Sequence, residues 1–163
     1  MWTAPQLSES LPKPELYSTL AAQLRALIGD EPDAIANMAN CAALLYHALP
    51  DVNWAGFYRL KGNELLLGPF QGRPACVRIR LGRGVCGTAA ERRMTLRVPN
   101  VDEFPGHIAC DSASRSELVI PLMTNDGELF GVLDIDSPIL DRFDADDEAG
   151  VRQLASIIAA RIG

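Results

Sequence analysis

Apolar side chains recur every three or four residues in two segments near the start of the chain. The first segment carries Leu16, Leu20, Leu24 and Leu27, and the second runs from Pro32 to Pro50. A spacing close to 3.6 residues predicts amphipathic α-helices, and proline suits a helix start but not a helix interior. A third helix is predicted in FDADDEAGVRQLASIIAARI, where Asp144 is the expected N-cap.

Between these helical segments the pattern changes to that of short β-strands. NWAGFYRL and NELLLGPF are joined by a Lys-Gly-Asn turn, and ELVIPLMTNDGELFGVLDIDS predicts a hairpin that turns at Asn-Asp-Gly. MTLRVPNV predicts a further strand, and GRGVCGTAAERR predicts a short helix after a glycine turn. ACVRIRL alternates apolar and polar residues, which places Cys76 on the more polar face with Arg78 and Arg80.

The order of these elements predicts an α+β architecture. Consecutive strands joined by tight turns pair antiparallel, so we expect a sheet of about six strands. The N- and C-terminal helices are expected to cover one face, and loops the other. A chain of 163 residues is expected to form one domain.

Composition narrows the possible partners and compartments. The formal net charge is −6, which disfavours nucleic acid as a partner, because a phosphate backbone attracts a basic face. Eighteen consecutive apolar residues occur nowhere, so no membrane association is expected. The segment MWTAPQLSES lacks the basic and apolar regions of a signal peptide, so we expect a cytoplasmic protein.

Four cysteines are present, and their settings differ. Cys41 lies on the apolar stripe of the second helix and is expected in the core. Cys76 is predicted beside two arginines, Cys86 near a helix start, and Cys110 in a loop rich in small polar residues. Positive charge and a helix dipole both favour a thiolate, so these three residues are candidates for redox chemistry. Unrelated, inert thiols are the alternative.

The same three cysteines and His107 are also candidate ligands for a zinc site. The chain has no CxxC pair, and a strand residue would have to converge with loop residues. Zinc at these four residues is therefore disfavoured, and we predict that the protein requires no metal.

Three carboxylates form a second group of candidates. Asp134 and Asp136 are two residues apart on the last strand and therefore share a face, and Glu117 begins the preceding strand of the same hairpin. Such a cluster suits an ammonium group, and mutual repulsion can keep one carboxyl protonated. The alternative is a solvated acidic edge that deters strand pairing. Trp54 shares a strand face with Tyr58, either in the core or as the wall of a pocket.

Five segments together resemble the family of free methionine-(R)-sulfoxide reductases, which are built on a GAF domain. The segments are NWAGFY, LGPFQGRPACVRI, GRGVCGTAA, VPNVDEFPGHIACDSASRSELVIPL and GVLDIDS. The resemblance implies that residues 16–163 form a single GAF domain preceded by an extension of residues 1–15.

The resemblance also implies the following roles. Cys110 attacks the sulfoxide, Cys76 resolves the intermediate through a disulfide, and Cys86 is also implicated, although the division of labour between Cys76 and Cys86 stays open. Substrate recognition is implied for Glu117, Asp134, Asp136 and Trp54. Tyr58, on the same strand face as Trp54, is a further candidate for substrate binding. We expect Glu117 to supply the proton for the departing oxygen.

The implied substrate is free L-methionine-(R)-sulfoxide, the implied reductant is thioredoxin, and no cofactor is expected. A homodimer is a possible assembly. The alternative interpretation is a GAF module that senses a small molecule or the redox state of its thiols without catalysis.

Overall fold

The structure of the protein, a computed structural model, describes residues 11–107 and 113–162. Its centre is one antiparallel sheet of six strands in the spatial order β3-β2-β1-β6-β5-β4. The strands are β1 (Trp54–Lys61), β2 (Glu64–Gly72), β3 (Arg78–Arg80), β4 (Leu96–Val98), β5 (Ser116–Met123) and β6 (Leu129–Ser137). The first and last strands of the long hairpins therefore meet at the centre, where β1 pairs with β6.

Three helices cover one face of this sheet, as the apolar periodicity predicts. They are α1 (Lys13–Ile28), α2 (Ala34–Ala48) and the C-terminal helix α4 (Ala145–Ala159). The main core lies beneath them, and it includes Leu20, Leu24 and Cys41, each with no exposed surface. α4 begins with a capping box in which Asp144 and Asp147 each accept a hydrogen bond from the other's backbone N–H. The predicted N-cap at Asp144 is therefore confirmed.

The opposite face carries a second, smaller core. The short helix α3 (Gly84–Arg92) packs there against β5 and β6. Its buried residues Val85, Cys86 and Ala89 meet Val119 and Val132 of these two strands. The predicted α+β class and antiparallel sheet are confirmed, and α3 joins the loops on the face opposite the main helices. Within the described ranges, no helix has both the length and the apolar character needed to cross a membrane.

One predicted strand is much shorter in the structure. The segment 75–81 was expected to alternate throughout, but only Arg78–Arg80 is β-structure. Val77 is 59% exposed, whereas Cys76 packs against the second core. The prediction that Cys76 shares a face with the arginines is wrong, because Cys76 lies before the strand, the chain bends at Val77, and the two-residue period does not carry across that bend.

Candidate functional site

Two central strands bring the three predicted carboxylates together. In the β5–β6 register, Glu117 lies opposite Asp136, and Asp134 follows two residues away on the same face of β6. Leu133 and Ile135 alternate with the aspartates and fill the main core on the other face. The alternation therefore forces the carboxylates toward α3. Glu117 and Asp134 are only 7% and 5% exposed, so the cluster is not a solvated edge of the sheet.

This burial changes the acidity of the cluster. Desolvation raises the pKa of Asp134 well above its usual value, and the charges of Asp136 and Glu117 raise it further. Desolvation also raises the pKa of Glu117, although a hydrogen bond from Asp134 and the charge of His107 partly oppose this effect. Since both shifts are upward and the two groups are in contact, the pair favours a state that retains a proton.

Cys86 projects from the first turn of α3 into the same cluster. Its thiol donates a hydrogen bond to Oε1 of Glu117 over 3.7 Å, and its side chain is buried. Desolvation raises the pKa of Cys86 well above the ordinary thiol value, and the charges of Asp134, Glu117 and Asp136 add to the shift. The predicted stabilisation of a thiolate by the helix dipole is wrong, because the nearby carboxylates and the loss of water outweigh it.

Cys76 and Tyr58 lie at the side of the cluster. Cys76 is half-buried and disulfide-bonded, whereas Cys41 and Cys86 are free. The hydroxyl of Tyr58 donates a hydrogen bond to the backbone carbonyl of Cys76 over 2.8 Å. This bond ties the position of Cys76 to the central strand β1. The predicted nucleophile Cys110 lies outside the described residues.

Trp54 is buried in the second core, where its indole stacks on two rings. The ring centroids lie 5.3 Å from Phe70 and 6.0 Å from Tyr58. Its Nε1 donates a hydrogen bond to the carbonyl of Arg73 over 3.2 Å. Gly56 makes this packing possible, because a Cβ there would clash with Phe70 and press on the indole. Of the two predicted aromatic residues, Tyr58 lines the cavity described next, and Trp54 supports it from behind.

A small cavity of about 50 Å³ lies over the carboxylates. Its described lining residues come from several elements of the second face: Tyr58, Ile79, Arg83, Gly84, Val85, Cys86, His107, Ser114, Glu117, Asp134 and Asp136. Sequence reasoning did not assign Arg83 or Ser114 to the site. The only available signal for Arg83 was its place in the glycine turn before α3. The cavity thus combines a buried anionic wall with a cationic residue at its rim.

Comparisons with known proteins identify the family of this chain. A family profile described as the GAF domain matches residues 15–162. The chain is 57% identical over 144 residues to Protein YtsP of Bacillus subtilis (strain 168), a match that covers 87% of this chain and 88% of that protein. It is 52% identical over 144 residues to the free methionine-R-sulfoxide reductase of Escherichia coli (strain K12), covering 88% of this chain and 87% of the relative.

A solved structure is also similar to this chain in three dimensions. The free methionine-R-sulfoxide reductase of Neisseria meningitidis, solved in complex with its substrate, superimposes with a TM-score of 0.90 at 43% sequence identity. The superposition covers 98% of this chain and 95% of that one. The architecture described above is therefore shared with a similar protein whose structure was solved in complex with its substrate.

Proposed function

Because the chain belongs to the free methionine-(R)-sulfoxide reductases, a family built on the GAF domain, we propose that it reduces free L-methionine-(R)-sulfoxide to L-methionine. The observation that carries this proposal is the buried group of Glu117, Asp134 and Asp136 at the wall of a small cavity. Three carboxylates in so little water attract an ammonium group, which a free amino acid has and an internal peptide residue lacks.

The first chemical step is assigned to Cys110. Its thiolate attacks the sulfoxide sulfur, and the sulfoxide oxygen passes to Cys110 with one proton. Methionine leaves as the reduced thioether, and Cys110 is oxidised by two electrons to a sulfenic acid. The proton comes from the carboxyl pair of Glu117 and Asp134, whose raised pKa values let the pair retain a proton to higher pH than ordinary carboxyls do. We propose Glu117 as the acid, and Asp134 shares its proton.

The second step forms a disulfide. The thiol of Cys76 attacks the sulfenic acid of Cys110, a sulfur–sulfur bond forms, and the oxygen leaves as water. The disulfide-bonded state of Cys76 supports its role as the resolving thiol, and the free, buried state of Cys86 supports a different role for that residue. We assign Cys86 to the wall of the substrate site, where its thiol contacts Glu117.

An external dithiol then restores the enzyme by exchange with this disulfide, and we propose a protein of the thioredoxin type. The exposed side chains of Val77 and Arg78 beside Cys76 leave this end of the site open to such a partner. A reducing compartment is needed to sustain the cycle, so we propose a cytoplasmic location. A homodimer stays a prediction.

A coupled assay tests the proposal. Oxidation of NADPH is followed through thioredoxin reductase and thioredoxin with free methionine-(R)-sulfoxide, the free S epimer and the N-acetylated R form. We expect turnover of the free R form only. Cys110→Ser is expected to abolish turnover, whereas Cys41→Ala, which changes a core thiol, is the matched control. Saturable binding of the sulfoxide with all thiols still titratable would instead indicate a sensor module.

A further inference from the structure

Three buried side chains from three different elements converge with the geometry of a metal site. Sγ of Cys86 on α3, a carboxylate oxygen of Glu117 on β5 and one of Asp134 on β6 all lie within 4.8 Å of one another. The distance from Sγ of Cys86 to Oε1 of Glu117 is 3.7 Å. Tetrahedral zinc, with bonds of about 2.3 Å to sulfur and about 2.0 Å to oxygen, separates such ligand atoms by roughly 3.5 Å. The side chains therefore need little movement to share one ion.

A second observation concerns one carboxylate oxygen of this cluster, which lacks a hydrogen-bond donor. Oδ1 of Asp134 is buried and accepts no hydrogen bond from any residue that the structure describes. Asp134 lines the cavity, so this oxygen is available to a cation that enters there. A buried carboxylate oxygen without a donor is costly, and a bound cation removes that cost.

From this geometry, we propose that the reduced protein binds Zn²⁺ through Cys86, Glu117 and Asp134, and that the ion competes with the substrate. The fourth position of the ion faces the cavity, where water completes the tetrahedron. Binding replaces the thiol proton and any proton on the carboxyl pair, and these protons pass to the solvent. A thiolate ligand favours zinc or cobalt over magnesium and calcium, which prefer oxygen ligands alone.

The competition follows from the shared ligands. The carboxylates that would hold the ion are those that the proposed function assigns to the substrate ammonium and to the transferred proton. A bound ion would therefore exclude the amino acid and slow the reductase when free zinc rises. The binding site stands on geometry alone, whereas the competition rests on the proposed function.

Cobalt provides a direct probe of the site, because a thiolate bound to Co²⁺ gives a charge-transfer band in the near ultraviolet. The reduced, metal-free protein is titrated with Co²⁺, and Zn²⁺ is then added to displace it. We expect the band in the wild type and in the Cys76→Ser/Cys110→Ser double variant, which lacks the redox pair. We expect no band in Cys86→Ser. A band that survives in Cys86→Ser, or that disappears in the double variant, would overturn the site.

A lost band in Cys86→Ser can also result from misfolding. Asp134→Asn is therefore a second test of the site, because it keeps every thiol. We expect it to weaken Co²⁺ binding by roughly tenfold or more, with an unchanged circular dichroism spectrum. Unchanged affinity in this variant would remove Asp134 from the site and overturn the proposal. Mg²⁺ serves as the control ion and is expected to leave the cobalt band intact.

The double variant also separates the competition from the reaction, since it cannot turn over. Adding free methionine-(R)-sulfoxide to its cobalt-loaded form is expected to bleach the band as the amino acid displaces the ion. A band that persists at a sulfoxide concentration that saturates the metal-free variant would refute the competition. If the metal-free variant binds no sulfoxide, the proposed substrate fails, and the cobalt titration still decides the metal site.

Discussion

Glu117 lies directly opposite Asp136 in the register of β5 and β6, with both carboxylates at the wall of the cavity. Like charges in direct cross-strand register destabilise a sheet, and Asp134 adds a third carboxylate on the same face. A retained proton or a bound cation relieves this repulsion. The register therefore links the stability of the sheet to the acid and the ammonium site of the proposed reaction.

The first prediction is that Asp134→Asn changes how the stability of the protein depends on pH. The pKa of Asp134 is raised in the folded state by burial and neighbouring charge. Its stabilising contribution is fully present below the unfolded pKa of about 4 and is lost as pH rises through the raised folded value. We expect the variant and the wild type to be similar at pH 4, and the variant to be about 1–2 kcal/mol more stable at pH 8.

Urea unfolding at both pH values measures this difference. Asp146→Asn, which changes an exposed carboxylate on the first turn of α4, is the control, and its effect on stability should stay within about 0.5 kcal/mol. A stability difference for Asp134→Asn that is the same at both pH values would contradict the assigned cause.

The second prediction distinguishes the roles of Glu117 and Asp136 in catalysis. Glu117→Gln removes the proposed proton donor, so kcat should fall by roughly a hundredfold or more. Asp136→Asn weakens the attraction for the substrate ammonium, so its main effect should be a higher KM. Because the pKa of Glu117 is raised, wild-type kcat should decline as pH rises through that value, and Glu117→Gln should lose this decline. Steady-state kinetics across pH test both variants, and a flat wild-type profile would argue against a carboxylic acid donor.

The sequence alone predicts most of the sheet and the carboxylate cluster. Asp134 and Asp136 alternate with Leu133 and Ile135, and the Asn-Asp-Gly turn fixes which residues of β5 they face. The stripe of α1 and the N-cap of α4 are equally local signals, each contained within a few residues. Because such patterns depend on backbone periodicity, tertiary contacts did not alter them.

Cys41 lies in the core as its helical periodicity predicts, but the surroundings of Cys76 and Cys86 depend on tertiary contacts, and there the sequence-based predictions are wrong. Cys86 is near a helix start, but its acidity is determined by carboxylates on β5 and β6, which are distant in sequence. Cys76 precedes β3 rather than belonging to it, and the hydrogen bond from Tyr58 helps to place it. Neither neighbour is visible in the local pattern of charges and apolar residues.

The third prediction concerns the reactivity of Cys86. Its raised pKa keeps the thiol protonated, so in the reduced protein it should react with iodoacetamide far more slowly than an exposed cysteine at pH 8. Asp134→Asn removes the largest charged contribution to that shift and should accelerate the reaction several-fold, with a rate that rises toward higher pH. Mass spectrometry of the labelled peptide gives the rate. Cys41 is the internal control, since burial raises its pKa to about 12 and Asp134 makes no contribution there. An equal acceleration at Cys41 would indicate general loosening of the fold.

The fourth prediction concerns Asp147, which joins α4 to α1 beneath the sheet. Its buried carboxylate accepts hydrogen bonds from Tyr17 and Lys13, both over 2.7 Å, and from Arg142 over 3.3 Å. Asp147→Ala leaves these donors without their shared acceptor, so unfolding free energy should fall by about 3–5 kcal/mol. Tyr17→Phe removes one hydrogen bond and should cost about 1–2 kcal/mol.

Asp146→Ala is the matched control for Asp147→Ala, because it removes an exposed carboxylate from the same helical turn. We expect its effect to stay within about 0.5 kcal/mol. Equilibrium denaturation of the three variants gives the comparison. Similar losses of stability for Asp146→Ala and Asp147→Ala would mean that the favourable interaction of each carboxylate with the helix dipole contributes more than the buried network. A large loss confined to Asp147→Ala would show that the contacts between α1 and α4 depend on this network.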